Sequence, residues 1–393
     1  MSPSSDCGLV ISIDGHVNES PEMWRRVPRR YQELIPRFEK ALDGSRFLVV
    51  PQGSKVQIRE FQVPPEEADF QREFRKDASG GTDLARRIEH IALDGVHAEV
   101  VFPNVLLTAG MPPDADYNAA IASTYNDWVF EVFAPRPERF IPAAIIPVDD
   151  IEVAVAEAER CLKKGFRTAF MPASVPWRPY YSADYDPIWR LFSEAKIPVC
   201  FHVFSGNTGF FADFCSLTNI SEGSYSQRKA QEPIDAFVER LSTTVIGMAA
   251  GMGPIVHLTG GGALERFPDF RFVIVEAECG WLAWTLQAMD SMQHKRRLHL
   301  DRLSLRASEY FRRQGAVTFT DDSVGLDNIR YTGLGCLMWS NDYPHDEGTF
   351  LRKEIGIEAI RARLSPQDAE LILCRNAARV FGFDLARLAE SVG

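Results

Sequence analysis

Four short segments concentrate the side chains that could do chemistry. They are Asp14-Gly15-His16-Val17-Asn18-Glu19, Cys200-Phe201-His202, Val275-Glu276-Ala277-Glu278 and Trp339-Ser340-Asn341-Asp342-Tyr343-Pro344-His345. Imidazoles and carboxylates arriving from several places in a chain are what a zinc, iron or manganese site needs. Asp14 and His16 stand two apart, and alternate residues of a strand face the same side, so both can point into one cavity. Taken singly, each residue has a plainer explanation. A lone histidine near a strand end is usually hydrogen-bonded into the structure, and an aspartate there usually caps the next helix. Four strand ends carrying Asp-x-His, His, Glu and Asp are hard to explain by capping. The plainer reading is kept for His90, His97, His257, His294 and His299.

Eight apolar runs must place these groups: Leu9 to Ile13, Glu99 to Phe102, Ile141 to Val148, Thr168 to Met171, Ile197 to Phe201, Phe272 to Val275, Ala316 to Phe319 and Cys336 to Trp339. Their apolarity is continuous rather than alternating, which fits strands buried on both faces of a parallel sheet. Helical patterns lie between them. Thr82 or Asp83 can cap a helix carrying Leu84, Ile88 and Ile91, Ile151 to Leu162 runs to a stop at Gly165, and Asp186-Pro187 opens another. Eight strands alternating with helices predict a single α/β chain folded as a closed (β/α)8 barrel. No glycine fingerprint for a dinucleotide follows the first strand.

Three stretches break the repeat. Residues 20–80 form an insertion containing an expected hairpin, Arg46 to Val50 and Lys55 to Arg59. Residues 205–232 are rich in Gly, Ser, Asn and Phe, and residues 287–312 are basic and helical. In a barrel, the segments leaving strand C-termini surround the active site. The first two stretches are therefore expected to form a lid or substrate wall. Phe204, Phe210 and Phe211 would bind an apolar skeleton, and Arg25 and Arg26 would meet a carboxylate or the phosphates of a carrier.

The bulk composition narrows the function classes. The 393 residues are 45% hydrophobic and 25% charged, with a net charge of −11. That balance disfavours nucleic acid and anionic membranes as partners. The seven cysteines form no CxxC pair, so neither a disulfide framework nor a zinc ribbon is indicated. The N-terminus lacks the regions of a signal peptide, and no apolar stretch reaches the ~18 residues of a membrane span. A cytoplasmic enzyme is the expectation.

The ordered set of motifs resembles the amidohydrolase-related family that includes the aminocarboxymuconate-semialdehyde and dihydroxybenzoate decarboxylases. The matching pieces are Asp14 to Glu19 with Pro21 and Trp24, Asp94-Gly95-Val96, Tyr125-Asn126-Asp127-Trp128, and Arg139-Phe140 leading to Pro147. Leu264 to Pro268, Gly280-Trp281, Trp339 to His345, and Asn376 to Arg379 complete them. The resemblance covers nearly the whole chain. It implies a divalent metal at the strand C-termini with Asp14, His16, His202 and Asp342 as ligands, and a homodimer.

Two departures shape the functional expectation. Decarboxylases of the family resemble one another in a histidine at the end of strand six, where this chain has Glu276. Binuclear hydrolases of the wider superfamily use a lysine or carboxylate on strand four, and Ala169-Phe170-Met171-Pro172 offers neither. The remaining pool is Asp14, Glu19, Glu276 and Asp342 with His16, His202 and His345, enough ligands for two ions. The leading expectation is therefore a non-heme dinuclear iron (or Fe/Mn) monooxygenase acting on a largely apolar small molecule and needing an electron donor. Asp14, His16 and Asp342 would hold one ion; His202, Glu276 and His345 would hold the other. The alternative is a mononuclear zinc or manganese hydrolase or non-oxidative decarboxylase, with Asp342 or Glu276 as general base. A barrel without catalysis is the third possibility.

Overall fold

The computed structural model describes residues 8–41, 46–49, 55–58, 78–108, 114–174, 178–206, 241, 244–296, 302–345 and 348–392. Every apolar run identified above is a parallel strand. They are β1 (Ile11–Val17), β2 (Ala98–Pro103), β3 (Phe140–Pro142, continued by Ala144–Ile145), β4 (Ala169–Ser174) and β5 (Val199–Gly206), then β6 (Phe272–Val275), β7 (Gly315–Phe319) and β8 (Leu337–Trp339). Each pairs with its sequence neighbour. The first half of β3 bonds β2 and the second half bonds β4. β8 returns to β1 through a parallel bridge between Gly15 and Tyr343. The product is a (β/α)8 barrel, and its strands are buried almost throughout, as their unbroken apolarity requires.

The helices begin and end where local chemistry dictates. Asp83, not Thr82, caps α1 (Leu84–Leu93) by accepting the Arg86 N–H. Asp150 caps α2 (Ile151–Lys164), which stops at Gly165 in the left-handed region, φ 106°. Pro187 opens α3 (Asp186–Ala195). Within residues 20–80, Arg46–Val49 and Lys55–Ile58 pair antiparallel, and Arg37–Lys40 adds a third strand. Of the 205–232 stretch, only its first two residues are described.

Closure of the barrel rests on a buried polar junction. Ser12 Oγ donates to Asn341 Oδ1 at 2.9 Å and accepts the Asn341 N–H at 3.1 Å. Asn341 Nδ2 donates to Asp94 Oδ2 at 2.9 Å, and the other Asp94 oxygen accepts the Leu351 N–H at 2.8 Å. One amide therefore joins β1, the end of α1 and the exit of β8. Asn341→Ala leaves Ser12 and Asp94 buried without their partner, a loss of roughly 2–4 kcal/mol. Chemical denaturation should show it directly; a change under about 0.5 kcal/mol would mean that the junction does not hold the barrel closed.

Candidate metal centre

The local backbone at the strand ends decides where the ligands point. In β1 the register against β2 slips between Ser12 and Gly15, so Ile13 and Asp14 form a bulge. Bulges re-aim side chains, and this one lets Asp14 and His16 reach the same point. His16 Nδ1 faces the Pro103 carbonyl at 2.8 Å, which leaves Nε2 for the cavity. Asp14 Oδ1 and Asp342 Oδ1 each lie 3.2 Å from that nitrogen. His202 Nε2 is 3.2 Å from Asp14 Oδ1, and His202 Nδ1 is 3.4 Å from Glu276 Oε2. His345 Nδ1 bonds Asp342 Oδ1 at 2.9 Å, and its ring stacks on His16 with centroids 4.1 Å apart.

Three residues of this constellation adopt positive φ without being glycine: Phe204 at 57°, Glu276 at 60° and Asp342 at 55°. Side chains with a Cβ pay strain in that region, and such strain gathers at functional sites. The strands end here by turning sharply, which throws each side chain inward over the barrel mouth.

Burial sets the electrostatics. Asp14, His16 and His202 are fully buried and Asp342 is 2% exposed. Burial alone would raise the Asp14 carboxyl, but the facing His202 and His16 imidazoles hold it well below the ordinary carboxylate range. Asp342 is treated the same way: burial pushes it up, and His345 with His16 brings it below its usual value. His16 shows the converse. Desolvation opposes its charge, yet Asp14 and Asp342 drive its pKa well above the usual 6.5. Even so, Asp14 Oδ2 and His16 Nε2 have no hydrogen-bond partner. Buried polar atoms are rarely left unmet, and two orphans facing one point fit a cation.

Among the described residues, two groups of side chains could hold an ion: Asp14, His16, His202 and Glu276, and His16, Asp342 and His345. Both groups contain His16, whose Nδ1 faces a carbonyl and leaves Nε2 alone to offer. This grouping differs from the expected division into Asp14–His16–Asp342 and His202–Glu276–His345.

Glu19 is absent from both groups. Its carboxylate accepts the backbone N–H groups of Asn104, Val105 and Leu106 at 2.9–3.1 Å, pinning the chain that leaves β2. Arg26 is spent on Glu22 and Glu131, at 2.6 and 2.7 Å on the surface, and Arg25 is exposed on the same short helix. Neither arginine belongs to the ligand cluster. Phe204 is half-buried close to His202 in sequence and packs against Gly247. Phe210 and Phe211 lie outside the described residues.

Sequence reasoning passed over several contributors. Phe102 meets the His202 ring edge-on at 5.0 Å, and Phe170 does so at 6.3 Å, giving the imidazoles an apolar floor. Asn104 Oδ1 sits 3.3 Å from His345 Nε2. Glu278, beyond Glu276, bonds Thr320, and burial raises its carboxyl to about 7. The aromatic pair was hidden inside apolar strand runs and Asn104 followed one; Glu278 closed a segment already singled out but was given no role.

Known proteins agree with this architecture. The chain belongs to the amidohydrolase family, whose sequence model matches residues 13–383. A gamma-resorcylate decarboxylase from Polaromonas is 35% identical over 86 residues, which is 20% of this chain and 26% of that enzyme. An amidohydrolase from Mycobacterium avium subsp. paratuberculosis superposes with a TM-score of 0.74 at 17% identity, covering 95% of this chain and 99% of its own. A 5-carboxyvanillate decarboxylase from Novosphingobium aromaticivorans, solved with bound manganese, gives 0.64 at 17% identity, covering 95% and 97%. The leading expectation of a dinuclear iron monooxygenase is overturned: relatives named for an activity are decarboxylases, and two of those solved hold manganese. The call for an electron donor falls with it. The residues present fit a divalent metal ion. No helix among the described residues is long and apolar enough to cross a membrane.

If His16 ligates a cation through Nε2, the ion must displace the proton that the neighbouring Asp14 and Asp342 carboxylates favour on that ring. That proton is bound below the raised pKa, so metal affinity should climb with pH across the neutral range, by up to ~10-fold per unit, and level off above it. Calorimetry in buffers of different ionisation enthalpy should count close to one proton released per ion at pH 7. Uptake without proton release would show that His16 is not a ligand.

Proposed function

We propose that this chain is a mononuclear, divalent-metal-dependent decarboxylase that removes CO2 without oxidation from a small carboxylated aromatic acid, with manganese as its metal. The observation that carries the proposal is the Asp342–His345 pair beside the buried ligand cluster. Asp342 is buried against His16, whereas His345 is 22% exposed and bonded to it at 2.9 Å. Such a pair can carry a proton between solvent and the cavity, and non-oxidative decarboxylation needs little else from the protein. The aryl C–carboxylate bond breaks, its electron pair stays on the ring carbon, and that carbon takes up one proton as CO2 departs.

Asp14, His16, His202 and Asp342 would hold the ion, with Glu276 beside His202. A divalent ion there would supply Lewis-acid polarisation of substrate oxygens. Asp342 and His345 hold and pass the proton, and Phe102 and Phe170 keep the floor apolar. The manganese-bearing relative and the gamma-resorcylate decarboxylase support the same reaction class. One observation favours a second reading, hydrolysis: Glu276 places a carboxylate 3.4 Å from His202, where it could serve as a general base for water.

The test is a panel of hydroxylated benzoic acids given to manganese-loaded protein in D2O. Release of CO2 with one deuterium at the vacated carbon is expected. Asp342→Asn should lower turnover by about 10³-fold or more. Ester or amide cleavage without CO2 release would establish the hydrolytic reading instead.

A further inference from the structure

Arg87 is 1% exposed, and its ion-pair partner Glu99 is fully buried. Arg87 Nε donates to Glu99 Oε2 at 2.7 Å, and Nη1 donates to the His16 carbonyl at 2.7 Å. The guanidinium also lies over the Tyr343 ring, 5.1 Å from its centroid. Tyr343 follows Asp342, and its carbonyl accepts the His16 N–H at 2.7 Å. A single cation on α1 thus touches two of the segments that carry candidate metal ligands, the end of β1 and the exit of β8. The remaining atoms of the pair crowd Gly15: a Cβ there would stand 2.6 Å from Arg87 Nη2 and 3.0 Å from Glu99 Oε1. The glycine between Asp14 and His16 is required by this approach, not by its φ.

A buried ion pair is a poor source of stability, since desolvating both charges offsets most of their attraction, and apolar residues of similar size often do as well. Its geometry here has a more specific consequence. The His16 peptide is gripped at both ends, its N–H by Tyr343 and its C=O by Arg87. With the peptide fixed and Nδ1 tied to Pro103, the imidazole has one direction left for Nε2.

We propose that Arg87 and Glu99 form a positioning pair for the metal centre, setting the His16 imidazole between Asp14 and Asp342 from behind the strand. The proposal rests on the metal reading of the site and adds residues that touch neither ion nor substrate. It predicts that the pair governs metal affinity and ligand geometry more than folding.

The test uses metal-free full-length protein and Mn2+ alone as the probe. Removing only Arg87 would strand a buried carboxylate, so both charges are removed together in Arg87→Met/Glu99→Met. Arg87→Lys serves as a second variant that keeps the charge but cannot fork to both Glu99 and the His16 carbonyl. Both variants should unfold in denaturant near the wild-type midpoint. Both should bind Mn2+ more weakly, by about 10–100-fold for the double variant and less for the lysine. Co2+ substituted for Mn2+ should show a shifted visible spectrum. Folded variants with wild-type Mn2+ affinity and an unchanged Co2+ spectrum overturn the positioning role and leave the metal reading standing. A double variant that does not fold assigns the pair to the fold and also overturns it. Wild-type protein that takes up no Mn2+ overturns the metal reading itself, and the positioning role with it.

Discussion

Two carboxylates cannot be driven into a protein interior and aimed at one nitrogen unless a positive charge sits among them. Asp14 and Asp342 both reach the His16 Nε2 position at 3.2 Å, with almost no exposure to water. At an effective dielectric of about 20, two like charges a few ångströms apart repel by ~4 kcal/mol, before any cost of desolvation. A proton on His16, which the two carboxylates favour, would relieve this; a divalent ion would do so as well and could also meet Asp14 Oδ2, which has no hydrogen-bond partner. The unusual backbone of the strand ends and the layer of polar residues behind β1 follow from holding this arrangement together.

The barrel supplies the means. Parallel strands buried on both faces open to a cavity at their C-terminal ends, and the candidate ligands sit where the backbone there is strained or irregular. β1 carries a bulge, Phe204 within β5 has positive φ, and so do Glu276 just after β6 and Asp342 beyond β8. The Ser12–Asn341–Asp94 junction then fixes β8 against β1, so that Asp342 is delivered to His16 from the far end of the chain. The residue at the junction, Asn341, directly precedes Asp342, so the contacts that close the barrel also place that carboxylate.

Much of this was legible in the sequence. Continuous apolar runs identified all eight strands because burial on both faces leaves no polar phase. The Asp-x-His, His, Glu and Asp at strand ends stood out because capping could not account for them jointly, and the structure brings them together. Counting ligands failed where geometry decides. Nothing in a sequence says that His16 is shared by both ligand groups, or that Glu19 is consumed by three backbone N–H groups of the next strand's exit. Nor could the sequence show that Arg26 pairs with Glu131, more than a hundred residues away. Family motifs such as Asp94-Gly95-Val96 and Asn126 proved to be parts of the scaffold. Asp94 bonds Asn341, and Asn126 clamps Ile145 through its N–H and C=O.

The central claim is a single ion gathered by residues from β1, β5 and β8. Elemental analysis of manganese-loaded protein, with anomalous diffraction at the manganese edge on the same preparation, tests it most directly. The account predicts one manganese per chain, with density joining it to Asp14, His16, His202 and Asp342. Two ions per chain, or one ion held elsewhere while His16 keeps its proton, would contradict it.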